Sequence, residues 1–211
     1  MSNEYGYIGG GNNINQKVKN DGVLSVNDAH DLRSKKQLGG SLEFIKQVDV
    51  SGASTLEVTD IMETIYDVHY FTYTMTGAHQ DHTLFIVFSE DGGSSYVSSN
   101  YSFSKAYAET DGTVNQTTNA STSYIQLAAS VDSNNGCYNY GYFYFLGNSG
   151  RRSQYSGVSV FENSGDSGVK RFEYGGGNQF DDKAIDAIKI YPNVGTMTGT
   201  FKLYGVKEWV A

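Results

Sequence analysis

The stretch Ala184-Ile-Asp-Ala-Ile-Lys-Ile-Tyr-Pro-Asn-Val-Gly-Thr-Met-Thr-Gly-Thr-Phe-Lys-Leu-Tyr-Gly-Val-Lys207 decides the fold class. It holds two runs, 185–191 and 199–206, in which apolar and polar residues alternate, the pattern of half-buried strands. A polar loop joins them, so they read as a terminal hairpin. The same period recurs upstream at 42–48, 54–58, 66–75, 83–89, 101–108, 124–129, 139–146, 157–162 and 169–174. Turn signals separate nearly all of these runs: Asp91-Gly-Gly, Asp111-Gly, Asn134-Asn-Gly, Gly147-Asn-Ser-Gly, Asp166-Ser-Gly and Gly175-Gly-Gly. Many short strands between such turns predict an all-β antiparallel sandwich or barrel over residues 41–211. Within it one helix is expected, at 60–65, and the polar, Thr/Asn-rich stretch 111–123 reads as a long surface loop. No repeat of fixed period stands out, which sets solenoids and propellers aside.

Composition agrees. The chain has 211 residues, enough for one all-β domain with a real core. Only 38% of residues are hydrophobic, but 17 Tyr and 11 Phe carry much of the burial potential. Tyr suits half-buried strands, being apolar at one end and polar at the other. The formal charge of −8 argues against a broad nucleic-acid face, which needs clustered Lys and Arg. The pairs Lys35–Lys36, Arg151–Arg152 and Lys170–Arg171 are isolated and read as solvated surface. Cys137 is the single cysteine, so no intramolecular disulfide forms. It heads a strand-like run and reads as a small buried hydrophobe. The opening residues Met1-Ser-Asn-Glu-Tyr-Gly-Tyr lack the apolar core of a signal peptide, and no run is long enough to span a bilayer. Synthesis in a cytoplasm without membrane insertion is the expectation.

Residues 1–40 do not follow the strand pattern. Tyr5 and Tyr7 lie in a Gly/Asn-rich stretch expected to be an extended arm. A short helix is expected near Ser25, which offers an N-cap with Asp28 at the third helical position. Val26, Ala29, Leu32 and Arg33 form a thin stripe that must dock on this sandwich or on another subunit.

Candidate chemistry is sparse. His79-Gln-Asp-His82 contains metal-ligand types, but its place between two strand patterns reads as a hairpin loop. His30 and His69 read as structural. Glu43, Glu57, Glu63, Glu90, Glu109, Glu162 and Glu173 are scattered, and sequence alone pairs none of them as a glycosidase would need. A GxSxG elbow and a P-loop are both missing, and Gly175-Gly-Gly-Asn does not open a helix. No catalytic residue, metal or cofactor is therefore assigned. Ser89-Glu-Asp-Gly-Gly-Ser-Ser-Tyr96 resembles the Asp-box of sialidase-like proteins, a turn in which Asp binds nearby amides and the aromatic packs beneath. With one copy and no assignable arginine triad, it reads as a well-made hairpin between 83–89 and the next strand. Tyr140, Tyr142 and Tyr144 share one strand face, which serves as a glycan platform, as core or as a subunit interface. Trp209 is either an interface anchor or a cap on the sandwich base.

The terminal stretch resembles the end of jelly-roll modules in virion proteins of tailed bacteriophages. These close with an Ile-x-x-Ile-x-Ile strand followed by G-x-hydrophobic-x-L-Y-G-[IV]. Here Ile185, Ile188 and Ile190 match the first strand, and Phe201, Leu203, Tyr204 and Gly205 the second. Residues 89–96 are similar to the hairpin of those modules. Gly6-Tyr-Ile-Gly-Gly and Gly22-Val-Leu-Ser-Val-Asn-Asp-Ala are similar to the start of small structural proteins of marine phages.

The resemblance implies a jelly-roll β-sandwich with a docking arm at 1–40, in a structural protein on the virion surface. That protein would be a tail-fibre or tail-tip part in host attachment, or a capsid decoration. It also implies a homotrimer and contacts to other virion proteins through the arm, and it carries no shared catalytic residues. A carbohydrate-binding module using the Tyr strand is the alternative reading, and a glycan hydrolase resting on the scattered acids is the third. The first two are compatible, because phage adhesins bind host surface glycans.

Overall fold

The terminal alternation does form strands, but they lie in different sheets. In a computed structural model, residues 41–77, 81–131, 139–146, 153–162, 168–181 and 183–207 are described. Apart from Ser41 they belong to a compact unit beginning at Leu42. They form twelve strands: β1 (Leu42–Ala53), β2 (Leu56–Val58), β3 (Val68–Gly77), β4 (His82–Ser89), β5 (Tyr101–Glu109), β6 (Val114–Thr122), β7 (Ile125–Val131), β8 (Asn139–Leu146), β9 (Ser153–Glu162), β10 (Lys170–Gln179), β11 (Ala187–Pro192) and β12 (Met197–Val206). Eight make one sheet, in the order β1-β12-β3-β8-β9-β10-β5-β6, and four make another, β2-β11-β4-β7. Every described pairing is antiparallel. The fold is all-β and sandwich-like.

Alternation decides which side chains meet. In the small sheet Leu56, Ile190, Ile86 and Ile125 stand in one cross-strand row. In the large sheet Phe71 of β3 stacks on Phe143 of β8 with ring centroids 4.8 Å apart. Phe201 of β12 joins Phe71 at 6.1 Å. Residues of both sheets form one buried cluster, and Phe88 and Phe145 meet across the gap at 6.1 Å. Each fully buried Phe contributes roughly 1.5–3 kcal/mol by leaving water.

Two connections between the sheets correct the hairpin expectations. Chain 193–196 carries β11 of the small sheet into β12 of the large one. The Asp-box turn does the same between β4 and β5. Its local chemistry is as expected: Asp91 accepts from the Ser95 amide at 2.8 Å and the Ser95 hydroxyl at 2.6 Å. Gly92 and Gly93 supply φ of 72° and 86°, and Tyr96 packs against the core. The Tyr101 hydroxyl then accepts from the Phe88 amide (2.9 Å) and donates to the Val97 carbonyl (3.2 Å), pinning the corner.

Three other expectations fail for physical reasons. No helix forms at 60–65, because Asp60 and Met62 take φ of 56° and 61°. The Ile61 side chain is buried and its carbonyl accepts from His69 Nε2 at 2.7 Å. The expected loop 111–123 contains β6, an edge strand held by pairing to β5. Most of its residues are exposed on both faces, so it shows no alternation. Gly175-Gly-Gly is not a turn but the middle of β10, paired on both sides. A Cβ on Gly175, Gly176 or Gly177 would lie 2.3–2.6 Å from a neighbouring strand's carbonyl oxygen, so only glycine fits there. The short helix and arm expected within 1–40 lie outside the described residues.

At the β5–β10 end the interior is charged. Lys105 and Glu173 are ion-paired, each 3% exposed at the side chain. Arg171 bonds Glu109 (2.6 Å) and reaches the Ala129 carbonyl of β7 (3.4 Å), tying the two sheets. Burial holds the Lys105 ammonium below its ordinary value, while Glu173 pulls the other way.

Two outcomes follow. Glu173→Ala should destabilise the protein by about 3–5 kcal/mol in urea unfolding, because it leaves Lys105 buried without its counter-charge. The double change Lys105→Met with Glu173→Leu should cost far less, and equal costs would contradict this account. Burial lowers the His69 pKa below 6.5, with Ile61 and Asp67 opposing. A proton on its buried Nδ1 would find no acceptor among the described residues. The unfolded chain therefore takes up that proton first, and stability falls as pH drops from 6.5 through the folded value. Thermal unfolding between pH 7.5 and 5 should show this slope, flattened in His69→Gln.

Candidate functional site

Because Phe143 and Phe145 point into the core, Tyr140, Tyr142 and Tyr144 must point out. They are 54%, 39% and 42% exposed. Of the roles left open for them, burial in this chain's own core is therefore set aside. Register extends the row across the sheet: Tyr144 faces Tyr70 of β3, which faces Tyr204 of β12, which faces Phe44 of β1. The rings touch. Tyr70 lies 4.7 Å from Tyr144, 5.7 Å from Tyr142 and 6.0 Å from Tyr204, and Phe44 lies 5.7 Å from Tyr204. Desolvation by this packing, then the neighbouring Tyr hydroxyls, push the Tyr70 pKa above its ordinary value. On the other side of β8, Val158 stands between Tyr142 and Tyr174, and Val160 between Tyr140 and Phe172. The result is an aromatic band across the outer face of the large sheet, exposed at Phe44, Tyr142 and Tyr144 and half-buried at Tyr70 and Tyr204, with no strand of the small sheet over it.

Beside the band lies a wide-open groove of about 560 Å³ with a mixed polar and apolar lining. It runs over β6, β5, β10 and β9, and its described lining includes Ser102, Ser104, Thr118, Asn119, Gln154 and Asn178. Gly176 forms part of the floor, and Ser102 bonds Asn178 across it. Outward Ser102 and Ser104 alternate with buried Tyr101, Phe103 and Lys105. Tyr144 is paired with Ser156, which is paired with Gly176, and Tyr174 is two residues along the same strand face from Gly176, so both rings lie near the groove on the same face without lining it.

Sequence reading found one strand of the band and missed the rest. Tyr70, Tyr174 and Tyr204 sat in recognised strands, but only pairing register joins them to Tyr142. Local pattern hides the groove, because β6 shows no alternation and Gly175-Gly-Gly has the composition of a turn. Of the scattered acids, the fold brings Glu109 and Glu173 together through Arg171, inside the sandwich rather than in the groove. Among the described residues there is no cluster of three metal-ligand side chains. Asp81 and His82 are described, and His82 is buried. The other half of the His79–His82 motif, Cys137, and the docking residues Tyr5, Tyr7, Val26, Leu32 and Trp209 lie outside the described residues. No protein-family model matches the chain, and no curated protein matches it.

Proposed function

We propose that this chain is a non-catalytic structural component of a tailed-phage virion, displayed on the particle surface, that attaches to host surface glycan through the outer face of its large sheet. The carrying observation is the aromatic band of Phe44, Tyr204, Tyr70, Tyr144 and Tyr142 on a face open to solvent. Tyr presents an apolar ring to the C–H faces of a sugar and a hydroxyl to its oxygens. Exposed rings joined through half-buried Tyr70 and Tyr204 mark an interaction surface rather than ordinary surface scatter.

Two further features support the reading. The motifs at 185–190 and 201–205 resemble those of phage jelly-roll modules. The strand orders β1-β12-β3-β8 and β2-β11-β4-β7 suit a jelly roll, with β5–β6 and β9–β10 as two inserted antiparallel pairs that lengthen one sheet. The proposal covers both a tail-fibre or tail-tip position and capsid decoration, with residues 1–40 as the arm that holds other virion proteins. A second reading, packing of this face against another copy in a homotrimer, is favoured by its apolar end. There Val114 is 76% exposed and Phe172 is 46% exposed.

Mass spectrometry of purified particles should find the chain. Tyr142→Ala with Tyr144→Ala should weaken binding of the protein to host cells at least tenfold and leave unfolding almost unchanged, as exposed substitutions do. A chain missing from the particles, or a double variant that binds like the parent, would overturn the reading. Dissociation of a trimer by the same pair of changes would favour the second.

A further inference from the structure

We infer that the groove over β5, β6, β9 and β10 is the seat of an uncharged oligosaccharide. The inference rests on the attachment reading above and gives that reading a ligand class and a place. Three observations carry it.

The first is the chemistry of the lining. Ser102, Ser104, Thr118, Gln154 and Asn178 carry hydroxyl and amide groups, set among apolar surface that includes Phe103, Ala120 and Tyr155, and none of the described side chains that line the groove is charged. Hydroxyls and amides both donate and accept hydrogen bonds. Sugar hydroxyls need that same pairing. An anionic ligand is held instead by Arg, Lys or clustered amide N–H groups. A formal charge of −8 on the chain further disfavours an acidic glycan.

The second is the floor. β10 is paired to β9 and β5 along its length, and β5 is paired to β6. The backbone groups of β9, β10 and β5 are used within the sheet, so a peptide could add as a strand only at the free edge of β6, beyond the floor. A ligand lying over the floor is read by side chains. The unsubstituted Gly176 leaves the middle of the floor open.

The third is size and flanking surface. The groove is open to solvent and would bury one side of a ligand, and its volume of about 560 Å³ falls in the range of small-ligand sites. From β6 to β9 it spans three strand spacings, about 14 Å, which is room for more than one sugar ring. Tyr174 and Tyr144 lie near it on the same sheet face, where a longer ligand that extends beyond the groove would meet them.

The site is also built entirely from the strands that lengthen the large sheet beyond β8. Their inner side chains Tyr101, Phe103, Tyr155 and Phe161 belong to the core, and their outer side supplies the surface.

The test uses the full chain on an array of neutral and acidic glycans, with two variants. Ser104→Tyr fills the groove from an exposed position, and Gln154→Ala removes one donor and acceptor. Thermal unfolding confirms that each is folded. Saturable binding to neutral glycans, weakened at least tenfold by both variants, is the expected result. Neutral binding that survives both variants but fails in Tyr142→Ala with Tyr144→Ala would overturn the groove and leave the attachment reading standing. Preference for sialylated or sulfated glycans would overturn the ligand class. Silence across the array, with cell binding that still depends on Tyr142 and Tyr144, would also overturn the inference. Loss of that dependence too would remove the attachment reading with it.

Discussion

Phe71 stacked on Phe143 locks β3 and β8 in register at the centre of the large sheet. A slip of one residue would turn every side chain of either strand to the opposite face. With Phe71, Phe143 and Phe145 inside, Tyr70, Tyr140, Tyr142 and Tyr144 have nowhere to go but out. The exposed band is thus the other half of the core pattern. It cannot be removed by sliding a strand, only by substitution. That seventeen tyrosines were recruited, rather than Phe, fits a chain whose aromatic residues must serve both faces.

The large sheet has eight strands and the small sheet four, so part of the inner face of β9, β10 and β5 lies beyond a simple apolar sandwich. The fold fills that end with ions. Lys105, Glu173, Arg171 and Glu109 neutralise one another there, and Arg171 reaches across to the backbone of β7. Buried ion pairs seldom add much stability compared with apolar residues of like size, but they tolerate no missing member. The outer side of the same strands carries the groove. These strands therefore combine a demanding interior with an outer groove whose described lining carries no charge.

Much of this fold was legible because alternation is a local property. Ile188 and Ile190, or Phe143 and Tyr144, declare their faces from neighbours in sequence. What was not legible depends on partners far away in the chain. β6 buries neither face, so Val114-Asn-Gln-Thr-Thr has no period to read, and only its pairing to β5 makes it a strand. Gly175-Gly-Gly carries the composition of a turn, yet the close approach of Ser104, Tyr155 and Ser102 backbones selects it for a strand interior. The two ends of β11 and β12 look like a hairpin from sequence, and only the sheet order separates them. The candidate surface was half-seen for the same reason: Tyr140, Tyr142 and Tyr144 are neighbours in sequence, whereas Tyr70, Tyr174 and Tyr204 are neighbours only in register.

The central claim is that the molecule meets its target with the outer face of the large sheet. Amide NMR of the full chain titrated with purified host surface polysaccharide measures this residue by residue. The account predicts saturable shift changes at Tyr142, Tyr144, Tyr174, Gly176 and Gln154, with β11 and β4 of the small sheet unmoved. Changes concentrated on the small sheet, or none at saturating polysaccharide, would contradict it.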